Sequence, residues 1–181
     1  MNYHDLEDCE KIQTYSVVSM PTQWIQFDRA KYQNINDKNT WRHFKFIAEN
    51  GEFSDGMRRK DRCKGGVYVF YINPEIIPDI HVGIMYIGRA KNTSTQGLYK
   101  RMREYYRDYI LNNNGATRNR SVNKIFRHWS KYLYVKYVII DDNNLIDEFE
   151  NVLIETIRPP FNERKPKTKL LPIKIGEEVF K

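Results

Sequence analysis

The stretch "MYIGRAKNTSTQGLYKRMREYY", Met85 to Tyr106, decides how the rest of the chain reads. Its first residues predict a strand ending at Gly88. After a second glycine at Gly97, a helix over residues 97–111 opens with Lys100, Arg101, Arg103 and Arg107 among its first positions. Leu98, Tyr99, Met102, Tyr106, Tyr109 and Ile110 recur at helical spacing and form its apolar arc. Arg101 and Tyr105, four apart, share the shoulder of that arc, whereas Arg103 and Arg107 look outward. A guanidinium held at a core boundary can grip a phosphate through two parallel hydrogen bonds from one fixed direction.

Outward from this stretch the punctuation is clear. Upstream, "GVYVFYI" (Gly66–Ile72) is β-branched and aromatic, a strand, and "NPEIIPDIHVG" with Pro74 and Pro78 is a long connection. Downstream, "NNNGATRNR" is a loop, and Ser121 caps a helix with Val122, Ile125, Phe126 and Trp129 at i, i+3, i+4 and i+7. "YLYVKYVII" is a third strand, and "DDNN" turns into a helix that ends near Ile157, since Pro159 and Pro160 cannot continue it. Near the start, "NTWRHFKFIAENG" (residues 39–51) predicts a helix capped by Asn39 or Thr40 and stopped by Gly51, followed by a loop. The element order predicts an α/β (α+β) fold, a small, mostly antiparallel three-stranded sheet flanked by helices. Residues 63–164 are the expected core, residues 1–62 an N-terminal arm with helical decoration, and residues 165–181 a C-terminal tail.

Charge adds a partner. The net charge of +7 is concentrated: residues 86–136 carry twelve Lys or Arg against Glu104 and Asp108 alone. Interleaved with Tyr99, Tyr105, Tyr106, Tyr109, Trp129 and Tyr132, this block suggests a face for a polyanion, although a run of charge can also be only a solvated helix face. Lys91, Lys100, Arg103, Arg107, Arg118, Arg120, Lys124 and Arg127 are the expected contacts to a nucleic-acid backbone. The first residues are acidic and polar, and no apolar run approaches membrane-spanning length, so a cytoplasmic, non-membrane protein is expected. Cys9 and Cys63 lack metal-ligand spacing and read as reduced bystanders.

The last helix holds the most telling residue. At 100° per residue, Ile146, Leu153, Ile154 and Ile157 lie within about 60° of Glu150, with Glu148 and Glu155 opposite. A carboxylate inside an apolar stripe needs a partner, because desolvating its charge costs several kcal/mol or pushes its pKa up. The partner is either a nearby arginine in a structural ion pair or a hard divalent cation with a phosphate close by.

Together these pieces resemble a known family. "GVY" at Gly66–Tyr68, "YIG" at Tyr86–Gly88, "LYKRM" with Arg101, "FENVLIE" with Glu150 and "RPPFN" ending at Asn162 resemble, in this order, the GIY-YIG nucleases. The resemblance covers residues 65–164. It implies a three-stranded sheet with flanking helices and hydrolysis of phosphodiester bonds with one divalent cation, Mg²⁺ or Mn²⁺, held by Glu150. It also implies that Tyr68 and Tyr86 are the paired tyrosines, that Arg101 contacts the scissile phosphate and that Asn162 orients the site. Tyr105 falls where relatives have an assisting Tyr or His, and Arg89 where many have Lys or Arg. A tyrosine acting on water near neutral pH needs positive charge close by, since its ordinary pKa is about 10. Arg89 and the cation are the expected sources. By themselves, without the other three elements, Tyr68 and Tyr86 read as core or cross-strand packing aromatics. The intervals from Tyr68 to Tyr86 and from "YIG" to Arg101 are longer than usual for the family. The arrangement is most similar to its type II restriction endonucleases, which often act on double-stranded DNA as homodimers. A phage or mobile-element (homing-like) endonuclease is the alternative, and a catalytically idle nucleic-acid-binding module the alternative of another class.

Overall fold

The computed structural model describes residues 27–74, 83–93, 97–113 and 121–162. Four strands and three α-helices follow one another: β1 (Arg42–Lys45), β2 (Gly66–Ile72), β3 (Gly83–Ala90), α1 (Leu98–Asn113), α2 (Ser121–Trp129), β4 (Leu133–Ile139) and α3 (Asn143–Ile157). The strands make one open antiparallel sheet in the order β1-β4-β2-β3. Two 3₁₀ turns accompany them, Arg59–Asp61 in the loop before β2 and Ser130–Tyr132 between α2 and β4.

The sheet therefore has four strands where three were expected, and the addition comes from the segment expected to be a helix. Within it Phe44 and Phe46 stand two apart, and pairing with β4 sets them on one face of a strand. Phe44 and Phe46 are buried on one face, His43 is exposed, and Trp41 packs on the opposite face. Arg42 to Lys45 pair with Tyr137 to Tyr134, and Phe46 N–H extends the ladder to the Leu133 carbonyl at 2.8 Å. Gly51 still turns the chain, at φ 80°. Arg42 ion-pairs with the buried Asp61, which also accepts from the Tyr137 hydroxyl at 3.2 Å.

β2 is the centre of the sheet and is buried along its whole length. Its alternate side chains feed two cores. Tyr68, Phe70 and Ile72 join Leu98, Met102 and Tyr105 of α1 and Val122, Ile125 and Phe126 of α2. Val67 and Val69 join Ile146, Phe149, Leu153 and Ile154 of α3 on the other face. α1 departs from expectation at two positions. Tyr105 is fully buried rather than on a shoulder, and Ile110 is exposed. The order of the three later helices and the end of α3 at Ile157 agree with the sequence, as does the buried face of α2. Asp142 caps α3 by accepting from Asn144 N–H at 2.8 Å. No helix among the described residues is long and apolar enough to cross a membrane.

The alternation in β1 generates a stability prediction. Phe46 stacks on Phe126 at 5.4 Å and meets Phe70 edge-on at 5.2 Å. Phe46→Ala should cost about 3–5 kcal/mol in urea unfolding, whereas His43→Ala should change stability by less than about 0.5 kcal/mol. Similar losses at both positions would contradict the two-residue period.

Candidate active site

β3 is an edge strand, so residues from both faces of the sheet can meet around it. A pocket of about 330 Å³ lies there, and its lining includes Tyr68, Tyr86, Arg89, Lys91, Lys100, Arg101, Glu104 and Glu150. Tyr68, Tyr86 and Arg101 come from the α1 face, Arg89 and Glu150 from the α3 face.

The register explains the spacing of the first group. Tyr68 lies opposite Gly88, and Phe70 opposite Tyr86, with a shift between Phe70 and Tyr71 that leaves Met85 as an extra residue on β3. Glycine is required at position 88 by its neighbours. A methyl group there would collide with the Tyr68 hydroxyl and sit 2.8 Å from Tyr86 Cε1. With that space open, Tyr68, Tyr86 and Tyr105 form a triangle of rings with centroids 5.9 to 6.4 Å apart. The Tyr68 and Tyr105 hydroxyls hydrogen-bond at 2.8 Å. Arg101 donates from Nε to the Tyr68 hydroxyl at 3.3 Å, lies over the Tyr105 ring at 4.8 Å and pairs with Glu104 at 2.9 Å. Burial opposes its charge, but the two phenol oxygens and Glu104 outweigh burial and keep it protonated.

Burial also pushes the phenols of Tyr68, Tyr86 and Tyr105 well above the ordinary range, and the nearby Arg101 only partly offsets this. The resting site therefore holds neutral phenols. The cation expected to act on them was Arg89, and here the structure differs. Arg89 ion-pairs with Glu150 and, through Nε, with Asp147 at 2.9 Å, so the guanidinium serving the tyrosines is that of Arg101. Facing across the α3 side of β3, Arg89 meets the carboxylates of that helix before it can meet the ring of Tyr86.

Glu150 is buried, as its place in the apolar stripe requires, and Arg89 compensates it. Glu155, opposite the stripe, is exposed, while Glu148, on the same side, takes the Lys31 ammonium and the Tyr32 hydroxyl. Asn162 does not line the pocket. Its amide instead completes the open edge of β3: Oδ1 accepts from Ile87 N–H at 2.9 Å and Nδ2 donates to the Ile87 carbonyl at 2.7 Å. Ile87 lies between Tyr86 and Arg89, so Asn162 fixes the strand that carries both. Asn92 bolts the end of β3 to α3. Its N–H donates to Asn143 Oδ1 at 2.8 Å, and its Nδ2 donates to the carbonyls of Ile140 and Asp141, each at 2.8 Å.

Of the expected backbone contacts, Lys100, Arg103, Arg107 and Lys124 are exposed, and Lys91 pairs with Asp147 at 2.9 Å. Lys100, Arg103 and Arg107 follow one stripe of α1, and Arg103 lies 5.5 Å from the ring centres of Phe53 and Tyr106. Arg118, Arg120 and the side chain of Arg127 lie outside the described residues, as does Cys9; Cys63 is an exposed free thiol. Glu104 and Asp147 were not anticipated, although each stands three residues from a chosen partner on the same helix face. Asn92 and Asn143 leave no such mark, because their bonds join chain segments about fifty residues apart.

Comparison with protein-family models, curated proteins and solved structures finds no match to this chain.

The buried phenols predict a pH dependence of stability. An unfolded chain loses tyrosine protons near pH 10, while the folded chain keeps those of Tyr68, Tyr86 and Tyr105 to higher pH. The folded state then binds more protons, so this contribution is complete below about pH 10 and declines as pH rises beyond it. Urea midpoints should fall between about pH 9 and pH 11.5, and fall less steeply in Tyr68→Phe. Equal declines in the two proteins would contradict the assignment.

Proposed function

We propose that this protein is a divalent-cation-dependent DNA endonuclease, similar to the GIY-YIG nucleases and, among them, to restriction-type enzymes acting on double-stranded DNA as homodimers. The observation that carries the reading is the convergence of Tyr68, Tyr86, Arg89, Arg101 and Glu150, drawn from β2, β3, α1 and α3, on one polar pocket. The Arg89–Glu150 ion pair accounts for those two groups, but packing alone gives no reason for a second guanidinium, that of Arg101, and two phenols to share their cavity. The stripe of Lys100, Arg103 and Arg107 on the helix that carries Arg101 supplies positive charge for a phosphate backbone beside it.

The donors suit Mg²⁺ or Mn²⁺. Among the described residues no three His, Cys, Asp or Glu side chains gather as a metal cluster. Mg²⁺, however, usually keeps several waters and takes only one or two protein carboxylates together with substrate phosphate. Glu150 is the carboxylate that would hold it, and when bound the cation would stabilise charge on the phosphate oxygens. In this reading Arg101 binds the scissile phosphate and stabilises the charge that develops on it. Tyr68, hydrogen-bonded by Arg101, faces the attacking water, and Tyr86 orients that water or contacts the phosphate. Burial keeps the Tyr68 phenol protonated in the resting site, so it acts as a base only after passing that proton to solvent. Asn162 and Asn92 hold β3 so that these groups keep their spacing.

The test separates chemistry from binding. Glu150→Gln should abolish plasmid cleavage with Mg²⁺ while leaving DNA affinity largely intact, and Glu155→Ala should do neither. Arg101→Ala should lower single-turnover rates by about 10²-fold or more. Lys100→Ala, Arg103→Ala and Arg107→Ala should each reduce the slope of log K against log salt by about one unit where they contact phosphate. Wild-type cleavage by Glu150→Gln would overturn the reading.

A further inference from the structure

Asp147 has no part in the reading above, yet it holds two of the cations beside the pocket. It lies one turn before Glu150 on α3, so the two carboxylates share a face. Its Oδ1 is 2.9 Å from Arg89 Nε and its Oδ2 is 2.9 Å from Lys91 Nζ, while another nitrogen of Arg89 pairs with Glu150 Oε2. Arg89 is thus shared between two carboxylates of unlike environment. Glu150 is 8% exposed at its side chain and Asp147 35%. A divalent cation at Glu150 would meet the positive charge of Arg89 there, and the two cannot occupy the same carboxylate oxygen.

We propose that Asp147 is a positioning residue for the cation site: it retains the Arg89 guanidinium when a divalent cation takes its place on Glu150. This inference rests on the assignment of Glu150 as the cation ligand. Without Asp147, displaced Arg89 would lose the carboxylate one turn along α3 that already holds its Nε, and it would compete with the cation for Glu150. With Asp147, the guanidinium shifts between neighbouring oxygens and stays at the rim of the pocket, its charge still balanced. Lys91, on the other oxygen of Asp147, keeps that carboxylate turned toward β3.

The experiment is a double-mutant cycle read by Mn²⁺ binding to the full chain without DNA, using the electron paramagnetic resonance of free Mn²⁺. Asp147→Asn preserves shape at a partly exposed position, so folding should survive. It should weaken Mn²⁺ binding about tenfold when Arg89 is present, and less than about threefold in the Arg89→Gln background, where no guanidinium competes. Arg89→Gln alone should bind Mn²⁺ at least as tightly as the wild type. Equal losses from Asp147→Asn in both backgrounds would make Asp147 a ligand or a mere source of negative charge, and would overturn the inference alone. Mn²⁺ binding that survives Glu150→Gln, or is absent from the wild type, would overturn the cation site and this inference with it.

Discussion

The site depends on one ion pair, that between Glu150 in the apolar stripe of α3 and Arg89 on the edge strand β3. A buried carboxylate is tolerable only with a partner, and removing one partner of such a pair typically costs about 3–5 kcal/mol. The pair therefore ties α3 to β3, beside the pairs that Arg89 and Lys91 make with Asp147. The other bonds near it preserve that alignment: Asn92 to Asn143, Asn92 to the carbonyls after β4, and Asn162 to Ile87. They form a frame around the last residues of β3, the segment that must stand still if groups from both faces of the sheet are to address one substrate.

An edge strand is the natural place for such a site. On an interior strand, neighbouring backbone would separate Tyr86 and Arg101 on one face from Arg89 and Glu150 on the other. At the edge, the two faces open onto common space. The exposed ladder that an edge leaves behind is partly closed by the Asn162 amide, which pairs with Ile87 much as a further strand would. The Met85 bulge adds curvature close to Tyr86. Electrostatics divides the pocket in a similar way. Burial keeps the phenols neutral and Arg101 stands beside them, while on the far side Arg89 and Lys91 face Asp147 and Glu150 in balance. Bound phosphate would disturb both halves at once.

Much of this was legible in the residues, for identifiable reasons. Glu150 stood out because an acid amid Ile146, Leu153 and Ile154 is costly, and the fold buries it as expected. The strands at β2, β3 and β4 carried β-branched and aromatic runs, and Pro159 and Pro160 marked the end of α3. What could not be read depended on distant partners. Residues 39–51 satisfied a helical template locally, and only β4, ninety residues away, turns Phe44 and Phe46 into a strand's inner face. The choice of Arg89 between the tyrosines and Glu150 likewise depended on which face of β3 it occupied, which an extra residue in the strand can alter. Tyr105, Arg101 and Glu104 are neighbours on one helix, yet their unequal burial is set by Tyr68 across the core.

The central claim, that the Arg101–Glu150 pocket hydrolyses phosphodiester bonds, is tested most directly by cleaving a DNA duplex with Mg²⁺ in ¹⁸O-enriched water and weighing the products. The account predicts one solvent oxygen on the terminal phosphate of each cut strand, and no labelled product from Arg101→Ala on the same timescale. Intact DNA with the wild-type protein, or cut strands whose phosphates carry no solvent oxygen, would contradict it.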